Sequence, residues 1–252
     1  MNILDLFSLQ HRRALVTGGN SGIGFAIAEA LAAAGAHVTI VGRNPDKVAQ
    51  SVAAIRQADG GCDGISADLI HPDFNLTKFA DQVGTVDIVV NAAGINLREP
   101  VEAITSESWD ATLNINLKIP FFLSRAFVPH MQQQKWGRII NIASLQTRRA
   151  FANGLAYGAS KGGVGQLTRA MTEAWSGDGI TVNAIAPGFF RTPLTQPLYN
   201  HPEIVAELAS KTTIGRNGEP SDLHGITVFL ASRASDYVTG QVIYLDGGFT
   251  SK

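Results

Sequence analysis

The chain has 252 residues, which fits one large α/β domain. Its hydrophobic content of 45% indicates a globular protein, and its formal net charge of −1 gives no overall basic field. Neither a nucleic acid nor an anionic membrane is therefore expected as the main partner. Cys62 is the one cysteine, so a disulfide within the chain is excluded. Together with a first segment that lacks the pattern of a signal peptide, this predicts a cytoplasmic protein.

Short apolar runs alternate with helix-like segments along most of the chain. The predicted strands are RALVTGG, HVTIVGR, GISADL, VDIVVNAAG, GRIINIAS, ITVNAIAPG and QVIYLDGG. They are apolar on both faces, as expected for a parallel sheet covered by helices. Repeated β-α units predict a doubly wound, Rossmann-type sheet in three α/β/α layers, as a single domain over residues 1–252. The proline-rich segment 189–204 follows a strand and is predicted to be a mobile substrate loop.

The stretch TGGNSGIG, residues 17–24, follows the first predicted strand and precedes a helix. Its glycines do not follow the common dinucleotide spacing, and no Gly-Lys-Ser/Thr closes it as in a Walker loop. The unpaired amides and positive dipole end of the helix still favour a pyrophosphate. We expect a tight turn at Gly18, close approach to the phosphate at Gly22, and close approach of helix and strand at Gly24. The candidate cofactor residues of this loop are Gly18, Asn20, Ser21, Gly22 and Ile23.

The next strand ends in Gly42, Arg43 and Asn44, where NAD sites usually carry an acid for the ribose hydroxyls. A guanidinium at this position suits a 2′-phosphate. The sequence therefore predicts NADP, with NAD as the alternative, and Arg43 and Asn44 as cofactor residues. Further strand ends add candidates beside the adenine and along the cofactor: Asp68, Leu69, Asn91, Ala92 and Gly94.

Tyr157 and Lys161 stand four residues apart in YGASK and share one face of a predicted helix. A phenol titrates near ~10, and a neighbouring ammonium favours the phenolate and lowers its pKa. Such a pair could pass a proton to or from an alcohol or ketone oxygen. Ser144 ends the strand before this helix and could hold the same oxygen. An exposed amphipathic helix face is the alternative for the tyrosine and lysine alone.

These motifs, with PGFFRTP and YLDGG, occur in an order and at separations that resemble the short-chain dehydrogenase/reductase family. The resemblance extends from about Leu15 to Gly248, and the opening loop matches the family pattern Thr-Gly-x-x-x-Gly-x-Gly. Within the family the chain is most similar to gluconate 5-dehydrogenases and dehydrogenases of 2-keto-3-deoxy-aldonates. SLQTRRA, PGFFRTPLTQPL and ASDYVTGQVIYLDGG carry this second, less specific likeness.

The resemblance implies a role for each matching residue. Tyr157 gives or takes the hydroxyl proton, Ser144 stabilises the oxygen, and Lys161 lowers the tyrosine pKa and holds the nicotinamide ribose. Asn116, with Asn114 as the alternative, bends its helix and holds a water that links the lysine to solvent. Residues Pro187, Gly188, Phe190 and Thr192 meet the nicotinamide end of the cofactor, together with Tyr157 and Lys161. A homotetramer is also implied, with the helices around Asn116 and Tyr157 and the C-terminal segment as contact surfaces.

The loops after three strands predict a polar and cationic substrate pocket. Its candidate residues are Asn96, Arg98, Ser144, Gln146, Arg148 and Phe190, with Arg149 as a further arginine in reach. One arginine could bind a carboxylate through two hydrogen bonds, which favours a sugar acid or a related polyol. Surface positions are the alternative reading for the arginines. Reduction of a 3-oxoacyl thioester and a non-catalytic dinucleotide sensor remain alternative functions. The six histidines are scattered and no metal site is expected.

Overall fold

The computed structural model describes residues 2–252. Seven parallel strands form one sheet in the order β3-β2-β1-β4-β5-β6-β7. The strands are β1 (Arg13–Thr17), β2 (His37–Gly42), β3 (Cys62–Ser66), β4 (Ile88–Asn91), β5 (Gly137–Ile142), β6 (Ile180–Pro187) and β7 (Val242–Leu245). Every residue of β5 and β6 is buried, as expected for strands covered by helices on both faces. The predicted doubly wound parallel sheet is confirmed.

Helices lie on both faces of the sheet. They are α1 (Gly22–Ala33), α2 (Pro45–Gln57), α3 (Leu76–Val83), α4 (Ser106–Leu113), α5 (Ile119–Gln134), α6 (Leu155–Trp175), α7 (Gln196–Tyr199), α8 (Pro202–Ser210) and α9 (Asp222–Ala231). Helices α1, α2 and α9 pack in one apolar cluster, and α3, α5 and α6 pack in a second. The two clusters cover opposite faces of the sheet, so the three-layer prediction is also confirmed.

Local chemistry fixes where several helices begin. The Asn44 side chain accepts a hydrogen bond from the Lys47 amide at 2.9 Å, and Pro45 occupies the first turn of α2. Thr105 and Ser108 form a reciprocal capping pair at the start of α4. Helix α3 was not predicted, although Asn75 caps it by accepting from the Lys78 amide at 3.0 Å.

Two segments differ from the sequence-based expectation. The helix-like run from Ser106 to Gln134 is interrupted by a π-helical stretch, Asn114–Lys118, in which the Ile119 amide bonds to the Asn114 carbonyl five residues earlier. The segment 189–204, expected to be irregular, contains all of α7 and the start of α8. Two of its three prolines, Pro197 and Pro202, occupy the first turns of these helices, and Pro193 precedes α7.

The strand order reverses between β1 and β4, and the carboxyl ends of all seven strands lie at one edge. In open parallel sheets, ligands bind in the crevice outside this edge at the reversal point. The described part of the chain contains no helix long and apolar enough to cross a bilayer.

Candidate active site at the carboxyl edge of the sheet

A cavity of about 1010 Å³ lies at this edge of the sheet. It brings together most of the side chains and loops singled out in the sequence. Those that line it are Gly18, Asn20, Ser21, Gly22, Ile23, Arg43, Asn44, Asp68, Leu69, Ala92, Gly94, Asn96, Arg98, Ser144, Gln146, Tyr157, Lys161, Pro187, Gly188, Phe190 and Thr192. Asn91, Asn116 and Arg148 are candidates that do not line it.

The glycine loop is shaped by backbone contacts as well as by dihedral angles. Gly18 has φ +67°, and a Cβ atom there would lie 3.0 Å from the backbone of Ala93. A Cβ at Gly24 would lie 2.3 Å from the Gly18 carbonyl oxygen, so helix α1 approaches the loop rather than the strand. At Gly22 the nearest neighbour of an added Cβ is the Thr192 side chain, 3.1 Å away. The segment 189–204 therefore packs directly onto the glycine loop.

The first turn of α1 fits a pyrophosphate. Ser21 precedes the helix and makes no side-chain capping bond, and the residues from Ser21 to Gly24 all line the cavity. The first amides of the helix thus lack a side-chain partner at its positive dipole end. This donor set suits the diphosphate of a dinucleotide.

The other end of the cavity carries two exposed cations, Arg43 and Lys47. Lys47 was not singled out in the sequence because it lies inside α2 rather than at the end of β2. Asp68 and Leu69 also line this end, as expected for the adenine side. No carboxylate lines the cavity at the end of β2, where an acid would repel a 2′-phosphate.

Asn91 was predicted to bind the cofactor, but its side chain points into the protein interior. Its Nδ2 donates to the Ser124 hydroxyl at 3.0 Å and to the Asn141 carbonyl oxygen at 2.8 Å. Asn141 then donates to Thr168 at 3.0 Å. The Asn91 side chain thus joins β4 to β5 and α5. The loop after β4 approaches the cavity through Ala92 and Gly94 instead.

Ser144, Tyr157 and Lys161 meet where β5 ends and α6 begins. Lys161 is 5% exposed, and its Nζ donates to the Ile142 carbonyl at 2.6 Å. The same Nζ lies 5.6 Å from the centroid of the Tyr157 ring. Ser144 caps the short turn Leu145–Thr147, its hydroxyl accepting from the Gln146 amide at 3.2 Å. A serine and a tyrosine hydroxyl thus line one end of the cavity with a buried lysine beside them.

The expected effect of Lys161 on the Tyr157 pKa is not present in this arrangement. Burial raises the pKa of Tyr157 above its ordinary value, while hydrogen bonding to Ser144 and the charge of Arg98 act in the opposite direction. The Lys161 amine is turned to the Ile142 carbonyl, and the lowering of the Tyr157 pKa by Lys161 stays a prediction. Burial also lowers the pKa of Lys161 to about 8. The phenol therefore stays protonated at neutral pH and is suited to donating a proton.

Asn116 lies outside the cavity, in the π-helical stretch. Its Nδ2 donates to the Ile95 carbonyl at 2.9 Å and to the Ser160 hydroxyl at 3.0 Å, and its Oδ1 accepts from the Ile95 amide at 2.9 Å. Ser160 in turn donates to the Tyr157 carbonyl at 2.7 Å. The local widening of the helix allows one side chain to link the loop after β4 to the helix that carries Tyr157.

Two of the predicted substrate residues have unpartnered polar atoms. Asn96 Oδ1 and Gln146 Oε1 are buried, line the cavity and accept no hydrogen bond from the described protein atoms. Buried polar atoms without a partner in a cavity point to a bound polar ligand. Arg98 lines the cavity as well. Arg148 does not, since its guanidinium lies 5.7 Å from the ring centroid of Tyr244.

The chain is similar to characterised dehydrogenases over its whole length. A family profile described as enoyl-(acyl carrier protein) reductase matches residues 18–250. The gluconate 5-dehydrogenase of Gluconobacter oxydans is 37% identical over 98% of this chain and 97% of its own length. The 2-dehydro-3-deoxy-D-gluconate 5-dehydrogenase of Bacillus subtilis is 38% identical over 98% of both chains. This chain belongs to the short-chain dehydrogenase/reductase family.

A solved member of this family has the same fold. The crystal structure of a gluconate 5-dehydrogenase from Burkholderia cenocepacia, in complex with NADP and tartrate, matches with a TM-score of 0.91. It is 38% identical, and the match covers 99% of both chains. Membership confirms the expected reaction class, NAD(P)-dependent oxidoreduction at a CH–OH group.

Over residues 2–252 of this short-chain dehydrogenase/reductase, no three His, Cys, Asp or Glu residues lie close enough together to hold a metal ion.

Sequence patterns missed a group of apolar residues that line the enzyme's cavity. Phe151, Phe189 and Phe249 belong to it, as do Leu198, Ile204 and Leu208 of the two short helices. Isolated phenylalanines and leucines in loops give no periodic pattern, so only the folded chain shows that they converge. The predicted polar pocket therefore has an apolar part as well.

The buried lysine gives a stability prediction for the enzyme. Because the pKa of Lys161 falls from 10.5 to about 8 on folding, its charge opposes folding fully below about pH 8, and the penalty is relieved as the pH rises to about 10.5. Lys161→Met removes this group. Wild type should therefore gain stability as the pH rises from about 8 to about 10.5, and the variant should not. The difference in free energy of unfolding, variant minus wild type, should decrease by about 3 kcal/mol over this range. Urea denaturation across the pH range measures it.

Lys118→Met is the matched control, because Lys118 is exposed. Its free energy difference from wild type should change little over the same range. A pH-independent difference for Lys161→Met would show that the lysine is not held in a desolvated state.

Proposed function

We propose that the protein is an NADP-dependent dehydrogenase that interconverts a secondary alcohol and a ketone on a sugar acid of the gluconate or 2-keto-3-deoxy-aldonate type. One observation carries the proposal. A single cavity joins a cationic end, with Arg43 and Lys47, to an end where Ser144, Tyr157 and Arg98 come together. The names of the relatives support the substrate class, and the tartrate in the Burkholderia cenocepacia structure is a hydroxylated dicarboxylate.

The residues present fit a nicotinamide dinucleotide, which supplies hydride transfer when bound. The first turn of α1 would hold its diphosphate, and Arg43 and Lys47 its 2′-phosphate. Lys161 would reach the ribose next to Tyr157 when its Nζ leaves the Ile142 carbonyl. Pro187, Gly188, Phe190 and Thr192 would border the nicotinamide end.

The proton chemistry belongs to Tyr157 and Ser144. The raised pKa keeps the phenol protonated, so Tyr157 donates its proton to the ketone oxygen as the alcohol forms. Ser144 donates a hydrogen bond to the same oxygen. In the oxidation direction the phenol must first lose its proton, and we propose that Lys161, Ser160 and Asn116 connect it to solvent. Arg98 holds the carboxylate of the substrate.

The alternative of a 3-oxoacyl thioester reductase is supported by similarity to the crystal structure of a 3-oxoacyl (acyl-carrier-protein) reductase from Agrobacterium tumefaciens with NADP bound, which is 32% identical over 98% of this chain and 97% of its own length, with a TM-score of 0.91. An acidic carrier protein would need a basic docking surface. The segment MQQQKWGR at the end of α5 offers two cations for such a surface, and both are engaged elsewhere. Lys135 pairs with Asp178 at 2.9 Å, and Arg138 is 1% exposed and paired with Asp236. A non-catalytic sensor would bind the dinucleotide tightly without turnover of aldonates, ketodeoxy-aldonates, polyols or acyl thioesters.

Tyr157→Phe tests the catalytic assignment. The variant keeps the ring that packs near Lys161 but loses the transferable proton, so kcat should fall by at least about a hundredfold. Binding of NADP, measured by calorimetry, should stay within about twofold of wild type. A variant with full turnover would refute the role of Tyr157, and Tyr199→Phe, on α7, serves as the matched control.

Arg43→Ala and Lys47→Ala test the cofactor assignment. Each should raise KM for NADP by about tenfold or more and leave KM for NAD nearly unchanged, because only NADP carries the 2′-phosphate. Steady-state kinetics with both cofactors measure the effect, with Lys118→Ala as the control. An equal loss with both cofactors, or better wild-type efficiency with NAD, would overturn the preference for NADP.

We also propose a cytoplasmic homotetramer. The family resemblance supports this assembly, and closed symmetry is the common arrangement of such enzymes. The single cysteine, Cys62, is buried and allows no disulfide within the chain, which suits a reducing compartment. Sedimentation velocity should give about four times the 26.7 kDa chain mass. A monomer at micromolar concentration would contradict the assembly.

A further inference from the structure

We propose that the site also accepts aryl-substituted keto acids and the corresponding hydroxy acids, with the aromatic ring packed against a cluster of three phenylalanines. This extends the substrate class beyond sugar acids and rests on the proposed function only for the cofactor and for the proton transfer by Tyr157. The three residues are Phe151, Phe189 and Phe249, here called the aromatic wall.

The aromatic wall follows from the order of the strands. Phe151 lies in the segment between Ser144 at the end of β5 and Tyr157, and Phe189 follows Gly188 at the end of β6. Phe249 follows the end of β7. Since β5, β6 and β7 are neighbours in one parallel sheet, the segments after them meet at the same edge. Each of the three phenylalanines lines the cavity.

The three rings pack at the distances of an aromatic cluster. The Phe151 and Phe189 centroids are 6.2 Å apart, those of Phe189 and Phe249 5.6 Å, and those of Phe151 and Phe249 6.3 Å. Two of the contacts are edge-to-face, a geometry that a further aromatic ring can join. Phe249 is buried, whereas Phe151 and Phe189 are half-buried and leave ring surface toward the cavity.

The position of Phe249 is fixed by the turn around it. The Asp246 carboxylate accepts from the Gly248 amide at 2.9 Å, the Thr250 amide at 2.9 Å and the Thr250 hydroxyl at 2.7 Å. Arg149 donates to the Lys252 carbonyl at 2.6 Å and lies 5.7 Å from the Phe249 ring centroid. The turn at Asp246 and the contact with Arg149 thus hold the Phe249 ring in place.

The short helices extend the apolar surface. Leu198 on α7 and Ile204 and Leu208 on α8 line the same cavity and are half-buried. Lys211 also reaches the cavity at the end of α8, but its Nζ is paired with the Glu207 carboxylate at 2.5 Å. The Lys211 charge is therefore neutralised by Glu207 on the apolar side of the cavity.

Two polar residues come from the other side of Ser144 in the strand order, because Asn96 and Arg98 follow β4. Gln146 follows β5, as Ser144 does. A substrate carbonyl at Ser144 and Tyr157 would thus have a carboxylate-binding side toward β4 and an apolar side toward β6 and β7. A hydroxylated chain would leave its hydroxyls unpaired against the phenylalanines, which costs binding free energy. An aryl ring there is desolvated without loss of hydrogen bonds.

The reaction is a balanced two-electron reduction. The carbonyl carbon gains a hydride from the reduced nicotinamide dinucleotide, and the carbonyl oxygen gains the Tyr157 proton. The ketone becomes a secondary alcohol, the dinucleotide is oxidised, and the phenolate takes up a proton from water. The opposite direction oxidises the hydroxy acid with the same groups.

The first experiment compares 4-oxo-4-phenylbutanoate with 4-oxopentanoate as substrates with NADPH. The two keto acids differ only in a phenyl or a methyl group on the reacting carbon. We expect kcat/KM for the phenyl acid to be higher by about tenfold or more, as for an apolar group transferred from water to an apolar pocket. D-gluconate with NADP is measured alongside as the sugar-acid reference.

Variants assign the preference to the aromatic wall. Phe151→Ala and Phe189→Ala should each lower the phenyl-to-methyl ratio of kcat/KM by at least about threefold. Phe74→Ala is the matched control: Phe74 packs against Phe79, 5.5 Å between centroids, and does not line the cavity. The phenyl-to-methyl ratio of kcat/KM for Phe74→Ala should equal that of wild type even if the variant is less stable. The ratio compares two substrates on the same protein, so the amount of folded enzyme cancels.

A binding measurement separates the pocket from the chemistry. 4-Phenylbutanoate and pentanoate lack the ketone and cannot react. Calorimetry should show at least about tenfold tighter binding of the phenyl acid, and this preference should be lost in Phe151→Ala.

Turnover of gluconate with a phenyl-to-methyl ratio near one would overturn the inference and leave the proposed function intact. No turnover of any substrate, with the binding preference present, would refute the proposed function and support the aromatic pocket. No preference in either measurement would show that the three rings serve only to pack the C-terminal segment.

Discussion

The site depends on one constraint, the parallel pairing of strands that are buried on both faces. A strand without solvent on either side must have its backbone groups paired by neighbours and its faces covered by helices. The chain therefore crosses over after every strand, and all seven carboxyl ends lie at one edge. This is why groups as distant in sequence as Gly18, Ser144 and Phe249 line one cavity. Backbone pairing, rather than contacts between the functional side chains, thus places these residues at one edge of the sheet.

Burial then determines the protonation of the central groups. The same desolvation that raises the pKa of Tyr157 lowers that of Lys161 to about 8, so both pKa values move toward the neutral forms, while the lysine still carries its charge at neutral pH. The Ile142 carbonyl offers Lys161 a dipole at 2.6 Å in place of a carboxylate. A full counter-charge at this position would hold the lysine permanently charged and immobile. A single carbonyl partner leaves the amine free to exchange one oxygen for another when a ribose is present.

Much of the fold could be predicted from sequence, because the predicted strands are apolar runs bounded by glycine or polar residues. The catalytic set was predicted from the ordered family motifs, because a tyrosine and a lysine at helical spacing are by themselves common on exposed helix faces. Helix α3 was missed although Leu76, Phe79 and Val83 have helical spacing, because its eight residues make only about two turns. The interruption at Asn114–Lys118 was not visible as a π-helix, since its cause is the set of bonds that Asn116 makes to Ile95 and Ser160.

The direction of individual side chains at the sheet edge could not be predicted in every case. Asn91 was assigned to the cofactor because it stands in a strand-end motif, yet a single residue along the strand decides whether a side chain enters the cavity or the interior. Ala92 lines the cavity, while Asn91 bonds to Asn141 inside the sheet. The aromatic wall shows the same limit, because its rings come from segments about 38 and 60 residues apart.

The catalytic positions and the positions of the aromatic wall also differ in the substitutions that they tolerate. Ser144, Tyr157 and Lys161 sit at a strand end and on a long helix, where the backbone fixes their mutual geometry and a change of residue removes the chemistry. Phe151 and Phe189 sit in connecting segments, where substitution alters the pocket while the sheet and α6 remain in place. Reaction class and substrate class are thus encoded in separate parts of this chain. Likeness to sugar-acid dehydrogenases constrains the reaction class more strongly than the substrate class, and the proposed aryl preference is assigned to the side of the pocket formed after β6 and β7.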